Sequence, residues 1–294
     1  MRGKAIFVGL VLPLLAVVAS GQVDPNVAGP NDIYCSGLVT SESVPRDAYV
    51  ITGEESKSDI IFNQGDSVFI NKGAGQGVKV GDEFFAVRKV TDPSGIEWTK
   101  WQGSILRKMG SVWEDEGRLK VTIVRDNVSI AVVEHACSSV QRGDVVLPFA
   151  ERPAPPFKPA ESFDHFTPSD GKAMAMVVVG KNFQIQAGRN DIIYVNLGNA
   201  QGVKVGDYFR IFRYQGTQHE TAYQIPRFSF DQEHGSASGG IVGYGSVSTK
   251  YNWTNVPRED IGEGIVLRTG PDSATVLVTF SLREIYSGDY VELE

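Results

Sequence analysis

The stretch GAGQGVKVGDEFF, from Gly73 to Phe85, places three glycines at alternate positions and a fourth beside an aspartate. Backbone N–H groups in such a loop can cradle a phosphate. A phosphate-binding Walker loop also needs a Lys-Ser or Lys-Thr after its last glycine, to serve phosphate and magnesium. Here Val78 follows Gly77, and no hydroxyl residue follows Lys79. A dinucleotide fingerprint must open a helix, whereas the residues after Gly81 read as a strand. The motif therefore reads as a turn. Gly77 and Gly81 supply backbone freedom, and Asp82 accepts from nearby N–H groups. His135, His165, His219 and His234 are scattered, with no zinc-binding spacing. No G-x-S-x-G is present. The acid pairs Asp115-Glu116 and Glu259-Asp260 are the remaining candidates for general acid–base work, and sequence spacing does not set their separation. Asn127-Val128-Ser129 and Asn252-Trp253-Thr254 are glycosylation sequons in a host that modifies exported asparagines.

The turn recurs. DSVFINKGAGQGVKVGDEFFAVRKV returns as DIIYVNLGNAQGVKVGDYFRIFRYQ, with Gln76–Asp82 repeated identically at Gln201–Asp207. The structural glycines and aspartates of the second copy are Gly202, Gly206 and Asp207. Gly75 becomes Ala200 there, so the middle glycine is dispensable. Upstream, AYVITG pairs with AMVVVG. Downstream, the Glu116-Gly117 run pairs loosely with Glu263-Gly264, and Gly143-Asp144 with Gly288-Asp289, as if the second copy were shorter. The chain divides into a signal peptide (1–21), an N-terminal segment (22–47), a first module (48–149), a Pro-rich linker (150–174) and a second module (175–294). The linker region, PFAERPAPPFKPAES, carries five prolines and reads as a semi-rigid spacer.

Val-, Ile-, Phe- and Tyr-rich runs punctuated by Gly, Asn and Asp predict an all-β protein. The expected architecture is two homologous small antiparallel barrel or SH3-like modules. Val78 and Val80 should point one way and Lys79 the other. Phe84 and Ala86 align with Phe209 and Ile211 and should be buried. Phe85, aligned with Arg210, should be largely exposed. Single helical turns are expected at CSSVQRG and SLREIYSG. Each module carries an insertion rich in aromatics: Trp98, Trp101 and Trp113 in the first, and Tyr223, Phe228, Phe230, Tyr251 and Trp253 in the second. Two readings stand for them: a binding surface on loops over a rigid scaffold, or side chains packed back on their own modules.

Arg2 and Lys4, an apolar run from Ala5 to Val18 and the small residues Ala19-Ser20-Gly21 form a cleavable export signal. No transmembrane helix is expected after cleavage. Removing Arg2 and Lys4 takes the formal charge from −7 to −9, which excludes a phosphate-neutralising nucleic-acid binder. Cys35 and Cys137 are the chain's two cysteines. In an exported chain they point to a disulfide rather than to a metal site through His135 and Cys137.

The pattern VFIN-KG--QGVKVGD-F-V-R, followed by EG-L-V and a closing GD-V, resembles the C-terminal domain of the flagellar assembly protein FlgT and related bacterial envelope proteins. The likeness covers the repeat cores and not the insertions. It implies a periplasmic, non-catalytic β module that braces an envelope assembly. The leading reading is thus an exported cell-envelope protein, periplasmic or secreted, that scaffolds or binds an envelope protein or peptidoglycan and needs no cofactor or metal. Two alternatives remain: a peptidoglycan hydrolase with a site in the insertions, and an accessory subunit of an export or surface-appendage complex.

Overall fold

β-Branched and aromatic residues suit a pleated, half-buried surface, and glycines with positive φ turn the chain between them. A computed structural model describes residues 27–54, 59–159, 163–214 and 257–294. The second-insertion aromatics Tyr223, Phe228, Phe230, Tyr251 and Trp253, the sequon at Asn252 and the export signal lie outside the described residues.

The N-terminal segment forms a short helix, α1 (Pro30–Tyr34), and strand β1 (Leu38–Thr40). The first unit follows with β2 (Val50–Gly53), β3 (Ile61–Phe62), β4 (Ser67–Ile70) and β5 (Glu83–Val90). Then come α2 (Gln102–Met109), β6 (Ser111–Val124), β7 (Ser129–Ala136), β8 (Val140–Gln141) and β9 (Val145–Pro148). The second unit holds β10 (Met174–Gly180), β11 (Gln186–Ala187), β12 (Ile192–Val195) and β13 (Tyr208–Arg213). It ends with β14 (Glu259–Gly270), β15 (Ser273–Ser281), β16 (Ile285–Tyr286) and β17 (Tyr290–Leu293). The class is all-β. The second unit is a closed antiparallel barrel in the order β10-β12-β15-β14-β13-β17. The first unit's main sheet runs β2-β4-β7-β6-β5-β9, with β1 added on β6. Its two ends meet at a bridge between Tyr49 and Val145, beside hydrogen bonds from Val50 N to Asp144 O and from Val146 N to Ala48 O. β3 pairs with β8 and β11 with β16 as small ribbons.

The QGVKVGD turn has the same geometry twice. Gly77 and Gly81 sit at φ +85° and +91°, Gly202 and Gly206 at +91° and +94°. Lys79 N donates to Asp82 Oδ2, and Lys204 N to Asp207 Oδ2, each at 2.8 Å. The preceding Gly73 and Gly198 leave no room for a side chain. A Cβ at Gly73 would strike the carbonyls of Arg125 and Asp126, and one at Gly198 those of Gly270 and Pro271.

Several expectations are corrected. The motif is a turn, as expected, but it is a 3-10 turn followed by a tight turn, so Val78 and Val80 do not share a side: Val78 is buried while Val80 is 67% exposed. Phe85 is buried, not exposed, because its ring packs against Tyr34 and Phe149 under the Arg152 guanidinium. Neither CSSVQRG nor SLREIYSG is helical; each places a two-residue strand, β8 or β16, before a turn. The eight-residue helix is instead α2, inside the first insertion. The downstream alignment also moves. Gly117 lies opposite Ala86 and Gly262 opposite Ile211, each beside a bulge. The backbone oxygens of Val121 and Val266 accept from Gly81 and Gly206. Gly117 therefore corresponds to Gly262 rather than Gly264, and the shared Glu-Gly is a coincidence two residues out of register. No shortening is needed, because Ser129 in β7 then matches Ala274 in β15.

Three cores follow. One fills the barrel, around Ile193, Phe209, Ile211 and Val276, and one fills the first unit, around Val68, Ile70, Leu119 and Val133. The third joins them. Ala28, Ile33, Val39, Met109 and Val112 pack on the outer face of the barrel, against Val178, Ile192, Tyr194, Ile265 and Leu267. Both faces of β12 are consequently buried, which is why Ile-Ile-Tyr-Val shows no alternation.

Candidate functional site

The junction is fixed by polar groups as well as by this core. Asp115, at the bulge of β6, is buried and pairs with Arg152 at 2.8 Å and with Arg268 at 3.1 Å, while accepting from Gly37 N at 2.9 Å. Burial alone would raise its carboxyl, but the two guanidiniums and the Gly37 N–H outweigh that and hold it below the usual range. The Tyr194 hydroxyl donates to Ser36 O at 3.0 Å, and the Thr275 hydroxyl to Gly37 O at 3.2 Å. Residues 27–40 are thus a wedge between the units. The proline-rich segment is pinned too: Val27 bridges Pro156, and Lys158 Nζ reaches Glu263 and Glu294 at 2.8 and 2.7 Å.

Beside the junction an open cleft of about 900 Å3 lies between the first insertion and the barrel. One wall is Asp92, Pro93, Ser94 and Trp98; the other is residues 182–188 with Asp191 and Leu282, Arg283 and Glu284. The insertion wall is held by its own turn, where Asp92 Oδ1 accepts from Ser94 N and Oγ, and by Gln102. The Gln102 amide accepts from Trp98 N at 2.8 Å and donates to Val178 O of β10 at 2.7 Å. The barrel wall is unusual in its backbone. Asn182 and Phe183 are consecutive non-glycine residues at φ +56° and +58°. Such strain persists only where surroundings over-determine it, and it clusters at ligand sites. The Asn182 amide nitrogen, oriented to donate, lies 2.9 and 3.1 Å from the Glu114 carboxylate oxygens, so β6 helps hold this loop.

Of the sequence candidates, Trp98 lines the cleft and Trp101 is 64% exposed under Lys100. Trp113 belongs to β6 and is buried beneath Arg46, so it offers no free face. Cys35 and Cys137 form a disulfide with Cα atoms 5.3 Å apart. The acid pairs are engaged by basic side chains. Glu259 meets His165 and Arg283 at 3.1 and 2.9 Å; Asp260 meets Arg210 and Arg258 at 3.1 and 3.2 Å. Asn127 sits on an exposed turn.

Glu116 stands apart. Arg88 forms a bidentate pair with Asp144 and reaches Ser139 O, and Arg213 does the same with Asp289 and Glu284 O. Glu116 joins this device in the first unit, 3.2 Å from Arg88 Nη1, at the position that Ile261 holds in the second. Burial pushes its carboxyl from 4.5 up to about 7; Arg88 opposes that rise, and Asp144 and Glu114 add to it.

Sequence reasoning missed residues 182–188 and 281–284 as a cleft wall. Their only signal was Asn-Phe after a strand-ending Gly180, which is no recognisable motif. No helix among the described residues is long and apolar enough to cross a membrane. No protein-family model matches the chain, and no curated protein matches it at a significant level.

Proposed function

We propose that this chain is an exported, non-catalytic cell-envelope protein whose two β units are copies of one module, and that it binds peptidoglycan glycan strands in the cleft beside their junction. The observation that carries the reading is the cleft itself: the Trp98 indole in one wall and the planar polar side chains Gln184, Gln186 and Arg283 in the other, with the walls held by Gln102 and by the Asn182–Glu114 contact. An aromatic face stacks on sugar rings, and fixed amides and charges satisfy hydroxyl groups. The duplicated turn and the matching strand order support the copying. The disulfide supports an oxidising compartment. The acids that a hydrolase would use at the insertion boundaries are engaged by arginines and a histidine, which favours binding over cleavage.

Pelleting with purified cell-wall sacculi tests this. Wild-type protein should co-sediment without releasing soluble fragments. Trp98→Ala should lose at least tenfold in affinity with an unchanged melting temperature. Fragment release would make the protein a hydrolase, and equal pelleting of the variant would move the ligand elsewhere.

A further inference from the structure

Cys35 caps the C-terminus of α1, while His135 and Cys137 come from the end of β7 and the residue after it. One ligand atom from each of the three side chains lies within 4.8 Å of the others, and Cys35 Sγ stands 3.5 Å from His135 Nε2. In a tetrahedral zinc site with Zn–S of about 2.3 Å and Zn–N of about 2.0 Å, neighbouring sulfur and nitrogen ligands are roughly 3.5 Å apart. The imidazole already stands at ligand distance from the first sulfur. The second unit does not share this chemistry. With Ala136 opposite Gly117 and Ser281 opposite Gly262, the places of His135 and Cys137 are taken by Phe280 and Leu282. The shared β scaffold therefore does not require a histidine and a cysteine here.

We propose that the Cys35–Cys137 disulfide is the closed state of a Cys2His site that takes a thiophilic divalent cation, such as zinc, when the disulfide is reduced. Lys181 Nζ donates to Cys35 O at 2.6 Å and so ties the backbone of the first ligand to the barrel unit. The site is reached from solvent through a cleft of about 340 Å3 lined by Asn31, Asp32 and Lys181 with both cysteines. A water entering there completes the tetrahedron as the fourth ligand. The chemistry balances. A thioredoxin-like dithiol supplies two electrons and two protons, its own sulfurs joining as a disulfide while the Cys35–Cys137 S–S bond breaks into two thiols. The cation then displaces the two thiol protons to solvent, so uptake weakens as pH falls.

The test uses the mature chain, reduced with a phosphine, freed of reductant without air, and titrated with Co(II) or Zn(II) against a chromophoric chelator. The reduced protein should bind one equivalent, with a thiolate-to-cobalt charge-transfer band, and the oxidised protein none. His135→Ala should bind at least tenfold more weakly after reduction, while its oxidised form melts as wild type. Equal binding by reduced and oxidised protein, or undiminished binding by His135→Ala, overturns the proposal. If reduction unfolds the chain, added zinc should restore a melting transition in wild type and not in His135→Ala. A reduced chain that stays unfolded in excess zinc also overturns it.

Discussion

Glu116 and Ile261 occupy matching places in the strand pairing of the two units, and the difference between them is a buried carboxyl. The folded carboxyl, raised from 4.5 to about 7, holds its proton to a higher pH than the unfolded one does. Its favourable contribution is complete below about pH 4.5 and is lost as pH rises through about 7, the charged form being the costly one. A rise of that size corresponds to about 3 kcal/mol, at roughly 1.4 kcal/mol per pKa unit. Glu116→Gln should therefore stabilise the protein by about 1–3 kcal/mol at pH 8 and change it little at pH 4.5, flattening the pH dependence of thermal melting between them. An equal shift at both pH values would contradict the assignment. Glu116 was legible only as half of an acid pair; its burial depended on a register that the repeated Glu-Gly disguised. Phe85 was misjudged for a related reason. Its partner position carries Arg210, which is paired with Asp260, Glu263 and Glu294 in the second unit. In the first, the outer face is covered by Tyr34 and Phe149, and nothing in the repeat encodes that cover.

At the scale of elements, the turns were the most legible features, because positive φ at Gly77, Gly81, Gly202 and Gly206 is a local demand written into local sequence. Helix α2 was not legible. Trp101 at its N-cap is left-handed and provides no side-chain cap, so the usual Ser, Thr, Asp or Asn signal is missing. The wedge of residues 27–40 was hidden too, since its strand β1 has only three residues and its partners lie far along the chain. Its role leads to a prediction. Asp115 joins the wedge at Gly37 N, the proline-rich segment at Arg152 and the barrel at Arg268. Removing one partner of a buried ion network leaves the others uncompensated, at about 3–5 kcal/mol. Asp115→Asn should lower stability by about 3 kcal/mol in urea unfolding and split the single wild-type transition into two. Two separate transitions already present in wild type would show that the wedge does not couple the units.

At the scale of the molecule, the three tryptophans of the first insertion divide in their roles. Trp113 is core, Trp98 lines the cleft, and Trp101 faces solvent. The opposite wall, from the second unit, needed the tertiary structure, because residues 182–188 and 281–284 are far apart in sequence and are brought together beside the β11–β16 pairing. The central claim is that a glycan ligand sits between these walls. Hydrogen–deuterium exchange with and without soluble peptidoglycan fragments tests it most directly. The account predicts that added fragments slow exchange at residues 92–98, 182–188 and 281–284, with the fragments recovered intact. Protection confined to other surfaces, or cleavage of the fragments during the experiment, would contradict it.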